Sequence, residues 1–99
     1  MARYILTGSA QADVREIVAY IRKRNPQTAK RVRAELRQAM QRLAEFPGIG
    51  HLRLDLADEP LRFWTVYSYL IIYRPDRKPL EVIRVLHGAR DVERFLRPE

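Results

Sequence analysis

Arg24-Asn25-Pro26-Gln27-Thr28 separates two stretches that each carry one apolar stripe at helical spacing, and its brevity decides how they meet. Before it, Val14, Ile17, Val18 and Ile21 recur at i, i+3, i+4 and i+7, the pattern of a single buried helix face. After it, Ala29, Val32, Leu36, Ala39, Met40 and Leu43 form a second such face, and Arg31, Arg33, Arg37 and Arg42 fall mostly away from it. Asn25 suits the cap of a new helix and Pro26 its first position, where a missing N–H costs nothing. So short a link predicts an antiparallel helical hairpin. The first helix is expected to start from a cap at Ser9, with Asp13 and Glu16 near its positive end and Arg22, Lys23 and Arg24 at its negative end. The second is expected over Pro26 to Phe46, stopped by Pro47-Gly48-Ile49-Gly50.

Outside the hairpin the period changes to two. Arg3 to Thr7 alternates around Tyr4 and Leu6 and reads as a short first strand. His51 to Pro60 is expected to be a loop of mixed charge. From Leu61 to Arg74 the chain is rich in aromatic and β-branched residues, with Ser68 marking the bend between two strands. Pro75-Asp76-Arg77-Lys78-Pro79 is a turn, Leu80 to Leu86 the last strand, and Asp91 to Leu96 a short terminal helix or tail. The predicted order is therefore β-α-α-β-β-β. It implies an α+β fold in a single domain over residues 1–99, an antiparallel twisted sheet packed against the helical hairpin, which buries both stripes at once.

Composition narrows the function. The chain has 99 residues, 46% hydrophobic and 31% charged, which is globular rather than disordered and enough for one modest core. It has no cysteine, which excludes disulfides, thiol catalysis and zinc–cysteine sites. No apolar run approaches the roughly 18 residues of a membrane span, and the first residues lack the apolar region of a signal peptide, so a cytoplasmic location without membrane contact is expected. Net charge is +7, carried by sixteen arginines and only three lysines among nineteen basic residues. Guanidinium groups bind phosphate and carboxylate through paired hydrogen bonds, so the partner is expected to be nucleic acid or an acidic protein. No metal or cofactor is expected.

Six segments in order carry a family resemblance: Ala12-Asp13…Ile17, Asn25-Pro26…Ala29, Leu43-Ala44-Glu45-Phe46-Pro47-Gly48-Ile49-Gly50, Leu61-Arg62, Tyr69-Leu70-Ile71-Ile72-Tyr73-Arg74, and the run from Arg84-Val85-Leu86 into His87-Gly88-Ala89-Arg90-Asp91. Together they resemble the ParE/RelE superfamily of type II toxin–antitoxin toxins, closer to the ParE branch of plasmid stabilisation proteins. The resemblance covers nearly the whole chain. It implies a RelE/ParE-like fold and a growth-inhibiting toxin held in a hetero-oligomer by a cognate antitoxin with an acidic C-terminal segment. It also implies two unlike mechanisms, because ParE-type toxins poison DNA gyrase and RelE-type toxins cut mRNA on the ribosome. A third reading is an inactive relative kept as a binding module. Fold likeness does not choose among these.

The residues bear on the choice. RNA cleavage through the 2′-hydroxyl needs an acid, a base and cations on the phosphate. The candidates are His87 as acid or base, Arg62 and Arg84 as phosphate clamps, and His51 or Arg53 from the loop. Arg84 and His87 have opposite parity on a regular strand, so they converge only if a bulge or Gly88 breaks it. The loop also lacks the lysines that RelE-like enzymes carry there. A toxin that acts by binding needs only a surface, for which Arg62, Arg74, Arg84, Arg90 and Phe95 are the candidates. The expectation is a non-enzymatic gyrase inhibitor, with an endoribonuclease as the alternative.

Overall fold

The computed structural model describes residues 2–52 and 60–88. The elements are β1 (Tyr4–Leu6), α1 (Gly8–Arg24), α2 (Pro26–Glu45), a single 3₁₀ turn (Pro47–Ile49), β2 (His51–Leu52), β3 (Arg62–Val66), β4 (Tyr69–Arg74) and β5 (Leu80–His87). The sheet order is β1-β5-β4-β3-β2. The predicted α+β architecture is the observed one, with the two helices on one face of the sheet.

Asn25 is the hinge of the hairpin, and it alone separates the helices. Its N–H closes α1 on the Ile21 carbonyl at 2.8 Å, and its Oδ1 accepts from the N–H groups of Gln27 and Thr28, both at 3.1 Å. One side chain thus ends one helix and starts the next. Val32, Leu36, Met40 and Leu43 of α2 are buried as their spacing predicts, against Ile71, Tyr73, Val82 and Val85 of the sheet. Along α1 only Ala10 and Val18 are fully buried, and Val14, Ile17 and Ile21 pack half-buried against the same cluster. α2 ends one residue early, leaving Phe46 at its C-cap and 56% exposed.

Three expectations need correction. Thr7, not Ser9, caps α1: its Oγ1 accepts from Ala10 N–H at 3.1 Å while the hydroxyl donates to the Ile83 carbonyl at 2.9 Å. Thr7 N–H is still bonded to the Val82 carbonyl, so the chain leaves the sheet directly into the helix. Asp13 and Glu16 are consequently beyond the first turn, too deep to serve the macrodipole. Second, the sheet is mixed and five-stranded rather than antiparallel throughout. β1 runs parallel to β5, pairing Tyr4 with Leu80 and Leu6 with Val82. The helical hairpin is a crossover that returns the chain to the far side of the sheet, and the β3-β4-β5 meander then brings β5 back alongside β1. Third, His51 and Leu52 are not loop but a two-residue strand opposite Phe63 and Arg62.

The predicted bend at Ser68 is a two-residue hairpin, Tyr67-Ser68, between the paired Val66 and Tyr69. Tyr67 carries φ 56, the left-handed region that a β-carbon disfavours. Across β4 and β5 the register slips between Ile72 and Tyr73, opposite Arg84 and Val82 respectively, so Ile83 is the extra residue of a bulge. Ile83 joins Leu61, Phe63, Ile72 and Leu86 in a second buried apolar cluster on the sheet face away from the helices. Among the described residues no helix is long and apolar enough to cross a membrane. The terminal segment from Asp91 to Leu96 and most of the loop after Leu52 lie outside the described residues.

Candidate functional site

His87 ends β5 with its ring exposed, tilted against the ring of its cross-strand partner Tyr69 at 5.1 Å between centroids. Gly88 follows with φ +72, and its N–H donates to the Ser68 carbonyl at 3.0 Å. The pairs from Arg84↔Ile72 to His87↔Tyr69 are regular, because the bulge at Ile83 comes before Arg84 and not after it. Arg84 and His87 therefore root on opposite faces, about 10 Å apart along the strand. Arg62 lies opposite Tyr73, one further position along. The fold does not bring His87, Arg84 and Arg62 onto one phosphate.

Each of the described candidate arginines is engaged within the fold. Arg84 donates from Nε and Nη2 to the two carboxylate oxygens of Asp13 at 2.7 and 2.9 Å, and Asp13 Oδ2 also accepts the Val85 N–H at 2.9 Å. β1 stops at the level of Val82, and Asp13 takes over from there, satisfying the strand edge that β1 leaves open. Arg74 pairs with its cross-strand neighbour Glu81 at 2.8 Å. Arg62 Nη1 donates to the Gly50 carbonyl at 2.7 Å. Arg53, Arg90 and Phe95 lie outside the described residues.

Gly50 is itself held by Tyr73, whose buried hydroxyl accepts the Gly50 N–H at 3.0 Å and donates to the Pro47 carbonyl at 2.7 Å. A β-carbon on Gly50 would overlap that hydroxyl. Burial pushes the Tyr73 phenol above its ordinary pKa, opposed by the Gly50 hydrogen bond and the Arg62 charge. Tyr73 does more than pack in the sheet: together with Arg62 it positions the chain that enters β2.

The surface that sequence reasoning missed is an open groove between α2 and β3. Its walls are Ala39, Arg42, Phe46, Trp64, Val66 and Tyr67, with Glu35 and Glu45 on its acidic margin. Phe46 and Tyr67 are more than half exposed, and Trp64 is half-buried with the His51 ring stacked on it at 6.4 Å. Tyr67 donates its hydroxyl to Glu35, which fastens the hairpin tip to α2 and raises the phenol pKa, chiefly through that hydrogen bond. β2 pairs with Phe63 and Arg62 only, so among the described residues the outer edge of β3 from Trp64 to Val66 has no strand partner. An apolar groove thus runs beside an unpaired strand edge, the arrangement that takes an added peptide strand or helix. No single residue in the sequence signals it, because Phe46 and Trp64 come together only through the fold.

The sequence matches the family described as the ParE toxin of type II toxin–antitoxin systems, parDE, over residues 4–92. It is 32% identical over 90 residues to Toxin RelE2 of Caulobacter vibrioides, covering 91% of this chain and 99% of that relative. The fold resembles a chain from the chromosomal ParDE toxin–antitoxin system of P. aeruginosa, with a TM-score of 0.72 at 18% identity, covering 89% of this chain and 97% of that one.

Proposed function

The chain belongs to the ParE toxin family of type II toxin–antitoxin systems, and from that premise we propose that it arrests growth by binding DNA gyrase in its DNA-cleaving state, without catalysing a reaction itself. Membership implies a cognate antitoxin as partner. The observation that carries the non-enzymatic reading is the separation of His87 from Arg84 and Arg62, together with the internal engagement of both arginines. Acid catalysis and phosphate binding need to meet within hydrogen-bonding reach of one substrate, and three ladder positions keep them apart.

The antitoxin is assigned to the groove between α2 and β3. Its C-terminal segment would add backbone hydrogen bonds along Trp64–Val66 and bury apolar side chains against Phe46, Trp64 and Tyr67. A net charge of +7 on the toxin favours fast, salt-sensitive capture of an acidic segment. Toxin and antitoxin then form a hetero-oligomer in the cytoplasm.

The name of the Caulobacter relative favours a second reading, a RelE-like endoribonuclease acting on ribosome-bound mRNA. Two assays separate the readings. Purified toxin is expected to block gyrase supercoiling and accumulate cleaved DNA, and to leave mRNA intact in a translation extract. Cut mRNA with unaffected gyrase would select the second reading. Silence in both assays with tight antitoxin binding would mark an inactive binding module.

A further inference from the structure

Between residues 22 and 37 the chain places seven cations, all exposed, against one acid. That acid, Glu35, is bonded to Tyr67 on the groove side of α2. Arg24 lies over the Tyr20 ring at 5.2 Å and Arg31 is close enough to Tyr67 to act on its phenol. The remaining five, Arg22, Lys23, Lys30, Arg33 and Arg37, have no hydrogen-bond or ion-pair partner among the described residues. Lys30, Arg33 and Arg37 recur at i, i+3 and i+7, one stripe of α2 about 10 Å long and apart from its buried face. Asn25 alone joins the helices, so Arg22 and Lys23 in the last turn of α1 lie at the same closed end of the hairpin as the first turn of α2.

We infer that this closed end and outer face of the helical hairpin binds the phosphate backbone of duplex DNA. Like charges gathered without counter-charges repel one another, and a polyanion relieves that repulsion while releasing its own condensed ions. Three of the five are arginines, whose planar forks match phosphate oxygens in pairs. None of the five is aromatic, the exposed Tyr20 ring near them carries Arg24 over its face at 5.2 Å, and the exposed rings of Phe46 and Tyr67 line the groove beside β3 instead. Single-stranded nucleic acid is bound through such rings, and protein interfaces need apolar anchors at their centre. A cationic ridge whose neighbouring Tyr20 ring is already covered by Arg24 fits the outside of a duplex, read for charge and not for sequence.

The test titrates the purified full chain against a fluorescein-labelled duplex of arbitrary sequence at several salt concentrations. The triple variant Arg22→Gln/Arg33→Gln/Arg37→Gln is compared with Arg3→Gln/Arg77→Gln/Lys78→Gln, which removes the same charge from exposed positions outside the hairpin. The hairpin triple is expected to reduce the slope of log K against log salt by about two to three, and each of its single substitutions by about 0.9. The outside triple is expected to change the slope far less. Equal effects from the two triples would overturn the inference, leaving only net charge. Preference for single strands, duplex RNA or poly-glutamate over duplex DNA would overturn it as well. Gyrase is absent from the assay, so its outcome is distinguishable from failure of the proposed target.

Discussion

Asp13 of α1 grips Arg84 of β5 through both carboxylate oxygens, 71 residues away in sequence, and the same carboxylate accepts the neighbouring Val85 N–H. The Asp13 side chain is only 12% exposed, so three charge-assisted hydrogen bonds are sheltered from water. They close the strand edge beyond β1 and fix the helical hairpin against the sheet. The pair explains why an arginine that invites a catalytic reading from sequence belongs to the architecture.

Asp13→Ala is accordingly expected to cost about 1–3 kcal/mol, because it removes the two charge-assisted bonds to Arg84 and takes the acceptor from the Val85 N–H at the strand edge. Asp13→Asn keeps the shape and one or two hydrogen bonds, and is expected to cost less. Urea unfolding of the two variants checks the order. Equal stability of wild type and Asp13→Ala would mean that the pair is ornamental.

Tyr73 supplies a stability and a pH prediction. Tyr73→Phe removes a buried hydroxyl that serves both Gly50 and Pro47, and is expected to cost about 1–3 kcal/mol. Gly50→Ala forces overlap with that hydroxyl and is expected to cost at least as much. Burial raises the Tyr73 phenol in the folded chain, so the folded state holds its proton more tightly than the unfolded state. The associated stability is complete below the unfolded value, about 10, and is lost as pH climbs through the higher folded value. Tyr69, raised first by burial and then by the neighbouring Tyr20, adds to the same trend. Unfolding midpoints are expected to fall above about pH 10 and to fall less steeply in Tyr73→Phe.

What sequence reading reached was whatever depends on near neighbours. Asn25-Pro26, the α2 stripe and the turn at Ser68 are set by residues within one or two turns of each other, and each was found where its chemistry placed it. Thr7 was missed because its role as cap depends on a hydroxyl bond to Ile83, 76 residues on. The parallel pairing of β1 was invisible because alternation in a three-residue strand carries no direction. Arg62, Arg74 and Arg84 were candidates by charge alone, and their carbonyl and carboxylate partners come from other elements. The groove beside β3 joins residues up to 32 positions apart and leaves no local trace.

Under the proposed binding mechanism, toxicity is expected to be insensitive to the chemistry of His87. His87→Gln retains a planar polar group against Tyr69 and removes the imidazole that a nuclease would use as acid or base. Induced expression in a host lacking the antitoxin is expected to arrest growth as fully as wild type. Loss of arrest, with the variant still folded and still captured by antitoxin, would return the nuclease reading to first place.

The groove makes the sharpest demand on the antitoxin. Phe46 is 56% exposed at the C-cap of α2, so its side chain contributes little to the isolated fold and is available to a partner. Trp64 is half-buried, and truncating it removes both the groove floor and the His51 stack. Aromatic anchors dominate interface energies, commonly at about 2 kcal/mol or more each on truncation. Phe46→Ala is therefore expected to weaken antitoxin binding at least about ten-fold, with little change in the unfolding midpoint of the free toxin. Trp64→Ala is expected to weaken binding further and to lower stability as well. Isothermal titration with the antitoxin's C-terminal segment reads the affinities, and urea unfolding reads the stabilities. Unaltered affinity in Phe46→Ala and Trp64→Ala together would place the antitoxin on another face of the molecule, because no segment can fill this groove without touching one of those two rings.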